Sequence, residues 1–267
     1  MKDTIKLCII LISLSSLLIN CKFAKDNADK NSVQEENWIQ LFNGVDLTGW
    51  NVKITGHAFK ENWGNTFIVR DSALCVDYSA YDNFDNAFGH IFYEKPFSNY
   101  KLKMKYRFLG DQVKGGENWA LRNSGVMIHC QHPESMLIDQ EFPVSLEVQL
   151  LGGVKEGTPR STANLCSPGT HVHMEEELVT THCVDSNSDT FYGDNWIDLE
   201  VEVRGDSVIK HYVNGALVLE YDRPVIGGEY NSLEEKAGEP LKTGYISLQS
   251  ESHPVEFKNI MLLDLNR

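Results

Sequence analysis

Residues 100–108 read YKLKMKYRF and constrain this chain more than any other stretch. Tyr100, Leu102, Met104, Tyr106 and Phe108 fall on one side of an extended chain, and Lys101, Lys103, Lys105 and Arg107 fall on the other. That period of two is the signature of a half-buried strand and fits no helix. WIDLEVEV repeats it, with Ile197, Leu199, Val201 and Val203 against Asp198, Glu200 and Glu202. VIKHYVNGALVLEY reads as two strands joined by Asn214-Gly215, a dipeptide suited to a tight hairpin because both positions need positive φ. Further strands are expected near 67–70, 73–78, 124–130, 145–151, 171–174, 244–249 and 255–263. Many antiparallel strands with one apolar face imply two sheets packed face to face. Residues 38–267 are therefore expected to form one all-β domain, a two-sheet β-sandwich of jelly-roll type.

The first residues read differently. MKDTIK is a short basic start, LCIILISLSSLLI is an apolar run too short to span a bilayer comfortably, and Cys21 follows Asn20. Residues 1–20 thus read as a lipoprotein export signal with Cys21 as the lipidated residue, although Asn20 departs from the small residue usual before such a cysteine. Residues 21–37, polar and poor in large apolar side chains, read as a flexible tether. The expected location is periplasmic or outer-membrane associated, with membrane contact through the lipid alone. Removing Lys2, Lys6 and Asp3 with the leader takes the formal charge from −14 to −15. Such a surface repels phosphate, so nucleic acid is an unexpected partner.

Apart from Cys8 and Cys21, the cysteines are Cys75, Cys130, Cys166 and Cys183, which permit three pairings. Cys166 and Cys183 flank a compact segment and are the expected disulfide. Cys75 and Cys130 lie in strand patterns and are expected as buried thiols.

Two strands carry polar residues where a solvated face would be bland. In SLEVQLL, Leu146, Val148 and Leu150 share one face and Ser145, Glu147 and Gln149 the other. In NSGVMIHCQHP, alternation sends Val126, Ile128 and Cys130 to the core and Met127, His129 and Gln131 away from it. A curved sheet presenting His129, Glu147 and Gln149 would suit a hydroxyl-rich ligand, which needs many donors and acceptors. His171 and His173 form an i, i+2 pair able to converge on a metal or a proton, with Glu175, Glu176 and His182 as further ligand candidates. Glu251 and His253 sit in a turn that would matter if it rims the same cleft. A glycosidase of the usual kind needs two carboxyl groups across the scissile bond. Beyond Glu147 the same strand offers only Gln149 and Leu151, which counts against drawing both acids from it.

Seven blocks in order then resemble the 3-keto-disaccharide hydrolase family: WIQLFNGVDLTGW, FGHIFYEKPFSNYKLKMKYRF, NSGVMIHCQHPESM, FPVSLEVQLLGG, NLCSPGTHVHM, HYVNGALVLEY and GYISLQSESHPVEFKNI. The resemblance spans about residues 38–264 and implies a concanavalin A-like jelly roll acting on glycosides whose 3-hydroxyl has been oxidised to a ketone. A ketone at C3 acidifies the C2 proton, so a base can remove it, the C1 substituent can leave, and water can add afterwards. By position in the family-like blocks, Glu147 is the candidate base or metal-binding acid. His171 and His253 are candidate proton carriers, and Gln149, Asn123 and Arg107 candidate binders of hydroxyls or the enolate oxygen. His129, His173 and Glu251 complete the candidate substrate contacts. A divalent cation is a candidate cofactor on the same ground. The expected partner is an oligosaccharide or glycoside. Two other classes stay open: a carbohydrate-binding lipoprotein without turnover, and a structural one.

Overall fold

The computed structural model describes residues 36–266. The expected leader, Cys21 and most of the tether lie outside the described residues. The chain forms seventeen strands: β1 Trp38–Gln40, β2 Trp50–Ile54, β3 Phe67–Arg70, β4 Ala73–Val76, β5 Gly89–Tyr93, β6 Asn99–Phe108, β7 Asn123–Cys130, β8 Leu146–Leu151, β9 Asn164–Cys166, β10 Thr170–Met174, β11 Glu177–Val179, β12 Cys183–Val184, β13 Ile197–Arg204, β14 Val208–Val213, β15 Ala216–Ile226, β16 Tyr245–Ser250 and β17 Val255–Asp264. They make two antiparallel sheets. The ten-stranded sheet runs β11-β10-β15-β14-β13-β6-β17-β4-β3 with β1 also paired to β17, and the seven-stranded sheet runs β12-β9-β8-β7-β16-β5-β2. This is the two-sheet jelly roll that the period-two pattern requires.

The alternation acts as anticipated on the ten-stranded sheet. Along β6 every second residue is buried, and Tyr100, Leu102, Met104, Tyr106 and Phe108 enter the core with Val201, Val203, Phe257 and Leu262. Each such side chain, moved out of water, stabilises the fold by about 1.5–3 kcal/mol. From the other sheet Val126, Ile128, Leu146, Val148, Leu150 and Leu248 meet them. The Asn214-Gly215 turn has φ of 49° and 83°, as a type I′ hairpin needs.

The seven-stranded sheet departs from simple alternation. All eight residues of β7 are buried. Its second face is roofed by the long connections, so polar residues there are enclosed instead of solvated. His129 adds a local exception. It takes a left-handed backbone, φ 51°, where β16 slips register between Tyr245 and Ser247. This bulge reverses the parity beyond it: the His129 ring reaches the carbonyl of Gly205 at 3.0 Å, while Cys130 joins Phe92, Met127 and Met136 in a small second cluster on the other side. The assignment of Cys130 to the main core and His129 to the open face is therefore corrected, for alternation holds only while the strand is regular. Cys75 and Cys130 are buried free thiols, and Cys166 is bonded to Cys183.

Candidate functional site

Glu147 stands near the middle of β8, paired with Met127 on β7 and with Cys166 on β9. Gly125, opposite Gln149, is the reason it has room. A Cβ built on Gly125 would lie 2.6 Å from Glu147 Oε1 and 2.8 Å from its Cγ. The carboxyl thus leans over a bare stretch of backbone that any side chain would fill. Gln149 accepts a hydrogen bond from Asn164 Nδ2 at 3.2 Å. One strand end away, past β16, Glu251 enters the same space.

These residues floor a cavity of about 330 Å³, also lined by Asn123, Arg160, Glu141 and the disulfide. Its walls are aromatic. Trp119 stacks on Phe88 at 6.1 Å and 12°, Phe88 meets Phe142 at 5.1 Å, Phe142 meets Tyr230 at 5.3 Å, and Tyr230 meets His182 at 5.4 Å. Trp119 and Tyr230, the two ends of this arc, are exposed at 52% and 49%. Aromatic faces with a few convergent polar groups suit a ligand that has both C–H faces and hydroxyls.

The floor is electrostatically unusual. Glu147 and Glu251 are only 6% and 3% exposed. Burial pushes the Glu147 carboxyl up to about 8. Glu251 is held well above the ordinary carboxyl range, first by burial and then by the charge of Glu147, with Arg160 pulling the other way. Glu147 Oε1, Glu251 Oε2 and Asn123 Oδ1 are buried and make no hydrogen bond within the protein. Leaving such groups without partners costs about 1–3 kcal/mol each, so they are acceptors waiting for a ligand. Arg160 is fixed by donating to the carbonyls of Leu121 and Gly152, both at 2.7 Å, and of Trp119 at 3.3 Å.

Of the residues singled out from the sequence, the structure brings together Glu147, Gln149, Asn123 and Glu251 around this cavity. The others are placed elsewhere. Arg107 lies on the outer face of the ten-stranded sheet, bonded to Glu256 at 2.8 and 2.9 Å and stacked on Trp196. His171 and His173 are on β10, which belongs to the ten-stranded sheet. The chain crosses between sheets just after β9, at Ser167–Gly169, and carries the pair away from Glu147. His171 packs against Gly227 and Gly228, and His173 Nδ1 meets the carbonyl of Arg223 at 3.0 Å. His253 follows a left-handed Ser252, φ 78°, and its ring turns to Phe108 at 5.7 Å. Its pKa falls to about 4, chiefly through burial and then through Arg122, which keeps it neutral. Glu176 pairs with Arg223 at 2.9 Å. Among the described residues the metal-donor cluster is Cys166, His182 and Cys183, whose ligand atoms all lie within 4.8 Å, and its sulfurs are already joined to each other. An oxygen set is available at the floor instead: Glu147, Glu251 and Asn123 suit a hard divalent cation, which would neutralise the buried acids and polarise a bound carbonyl.

Sequence reasoning missed Arg160, Trp119, Phe88, Phe142 and Tyr230. Three of them stand on connections already marked as long, and an exposed tryptophan in a glycine-rich loop, GGENWALRN, was the available signal.

The chain's residues 37–263 match the model of the 3-keto-alpha-glucoside-1,2-lyase-like domain. The chain belongs to that family. No curated protein sequence matches it. Two solved structures from Parabacteroides distasonis, both provisionally assigned as glycosyl hydrolases, share the fold. One is 18% identical with a TM-score of 0.52, covering 86% of this chain and all of its own. The other is 21% identical with a TM-score of 0.51, covering 86% and 94%. At that identity the likeness shows the architecture, a concanavalin A-like jelly roll. Family membership and the enclosed polar floor together support a carbohydrate-active function.

Proposed function

We propose that this chain cleaves 3-keto-glycosides by elimination across C1 and C2, followed by hydration. The observation that carries this reading is the pair of buried carboxyl groups, Glu147 and Glu251, raised toward and above neutrality on the floor of one cavity. A carboxylate with a raised pKa is a stronger base, and a carboxyl held protonated at neutral pH is a ready acid.

Glu147 takes the C2 proton, whose electrons form the C1=C2 bond as the C1–O bond breaks. Glu251 gives its proton to the departing glycosidic oxygen. Water then adds across the double bond, hydroxyl to C1 and proton to C2, and yields the free 3-keto sugar. Asn123 and Gln149 bind hydroxyls, and Arg160 places positive charge beside the Glu251 carboxylate once its proton has left. The proton-carrier role expected of His171 and His253 passes to Glu251, which stands in the cavity where they do not. A divalent cation held by Glu147, Glu251 and Asn123 would supply carbonyl polarisation when bound.

The same pair favours a second reading. Two carboxyl groups are what ordinary glycoside hydrolysis requires, and Glu251 supplies from β16 the acid that β8 lacks. One experiment separates the two. Purified protein is given a 3-keto-disaccharide and its unoxidised parent in deuterated water. Elimination predicts turnover of the keto sugar only, with enzyme-dependent deuterium at C2 of the product. Turnover of the parent, or product without deuterium at C2, refutes it.

A further inference from the structure

We infer that the Trp119 end of the cavity is the site for the leaving group, and that it takes an uncharged ring, a pyranose or an arene. The inference rests on the reading above, in which Glu251 protonates the departing oxygen. The two ends of the aromatic arc are chemically distinct. Tyr230 contacts His182 beside the Cys166–Cys183 bond, and Cys166 is the strand neighbour of Glu147. That end belongs to the base. Trp119 is tied to Arg160 through its carbonyl, and Arg160 is the cation that acts on Glu251. That end belongs to the acid.

A leaving oxygen protonated by Glu251 therefore carries its substituent toward Trp119. Phe88 lies parallel behind the indole, so the ring is braced while half of its surface stays open. A braced, open aromatic face is a platform for the flat C–H face of a sugar or for an arene. Charge selects further. Glu141, Glu147 and Glu251 all line the cavity, while the Arg160 guanidinium spends donors on three main-chain carbonyls and has few left for an anionic guest.

The test compares 3-keto-glucosides carrying a glucosyl, phenyl, methyl or glucuronosyl leaving group in the full chain, Trp119→Ala and Trp119→Phe. The native protein is expected to favour glucosyl and phenyl over methyl in kcat/KM. Trp119→Ala should shrink that preference about tenfold, mainly through KM, and Trp119→Phe should restore most of it. The glucuronosyl compound should fall about tenfold below the glucosyl one at neutral pH. A preference unchanged in Trp119→Ala overturns the platform, and an equal rate for the glucuronosyl compound overturns the charge selection. If no keto-glucoside is turned over, the elimination reading fails by itself. Calorimetric binding of phenyl and methyl glucoside to the same variants then decides the platform: a phenyl preference lost in Trp119→Ala supports it, and one retained refutes it.

Discussion

The two sheets each carry a row of charged and polar side chains on the face turned from the shared core, and they treat that row in opposite ways. On the outer face of the ten-stranded sheet the charges are matched across strands. Lys105 meets Asp198 at 2.6 Å, Lys101 reaches Glu200 and Glu202 at 3.8 Å, and Arg107 holds Glu256 at 2.8 Å. On the seven-stranded sheet Glu147, Gln249 and His90 are buried beneath loops with side-chain atoms that find no partner. The first row is finished as folded. The second is unfinished, and its missing partners are what a bound ligand would provide.

The sharpest way to break this contrast is Glu147→Gln. Removal of a general base is expected to lower kcat on a 3-keto-glycoside by about 10²–10⁴-fold. Because the substitution also removes a buried ionisable group, thermal stability at pH 8 should hold or rise. Equal losses of activity and stability would mean that Glu147 is structural, like its counterparts on the other sheet.

The pH dependence of stability follows from the same pair. A carboxyl whose pKa rises on folding binds its proton more tightly in the native state, so its contribution is complete below the unfolded value of 4.5. It is then lost as pH climbs through the folded value, about 8 for Glu147. Denaturant unfolding should show stability declining by a few kcal/mol between pH 5 and pH 8, at up to about 1.4 kcal/mol per pH unit for each such group. Glu147→Gln should flatten the decline. A flat native profile would show that the pair is already compensated.

The contrast also explains which parts were legible in the sequence. Period two read β6, β13 and the β14–β15 hairpin almost to the residue, because one face of each meets water and the other does not. The same rule assigned Glu147 and Gln149 to a second face. It could not say that loops roof that face, since burial on both sides of β7 depends on connections far away in the chain. It failed at His129, where one left-handed residue reverses parity, and at His171 and His173, where a crossover after β9 changes sheets within three residues. Arg160 and the aromatic arc come from irregular segments that no periodicity describes. Glu251 was visible as an acid in a turn, but its partnership with Glu147 joins positions more than a hundred residues apart and exists only in the fold.

The disulfide gives a smaller effect on the same sheet. Cys166–Cys183 closes a loop of sequence separation 17 and pins β12 to β9 at the cavity wall. Replacing both with serine is expected to lower stability by on the order of 3 kcal/mol in denaturant titrations. It should also raise KM for the glycoside more than it lowers kcat, because the wall moves while Glu147, carried by β8, does not. A loss confined to kcat would place the disulfide in the chemistry.

The smallest expected effect lies on the finished face. Lys105 and Asp198 face each other across β6 and β13, and both are partly open to water, at 34% and 57%. Solvent screens such a pair and two long side chains lose freedom in making it, so exposed pairs are worth about 0–1 kcal/mol. A double-mutant cycle with Lys105→Met and Asp198→Asn should return a coupling energy in that range, shrinking further at 1 M salt as the screening length falls to about 3 Å. Turnover should be unaffected, because neither residue lines the cavity and the core separates them from it. A coupling well above 1 kcal/mol, or a fall in kcat, would show that the outer row is not independent of the inner one and that the two faces communicate through the core.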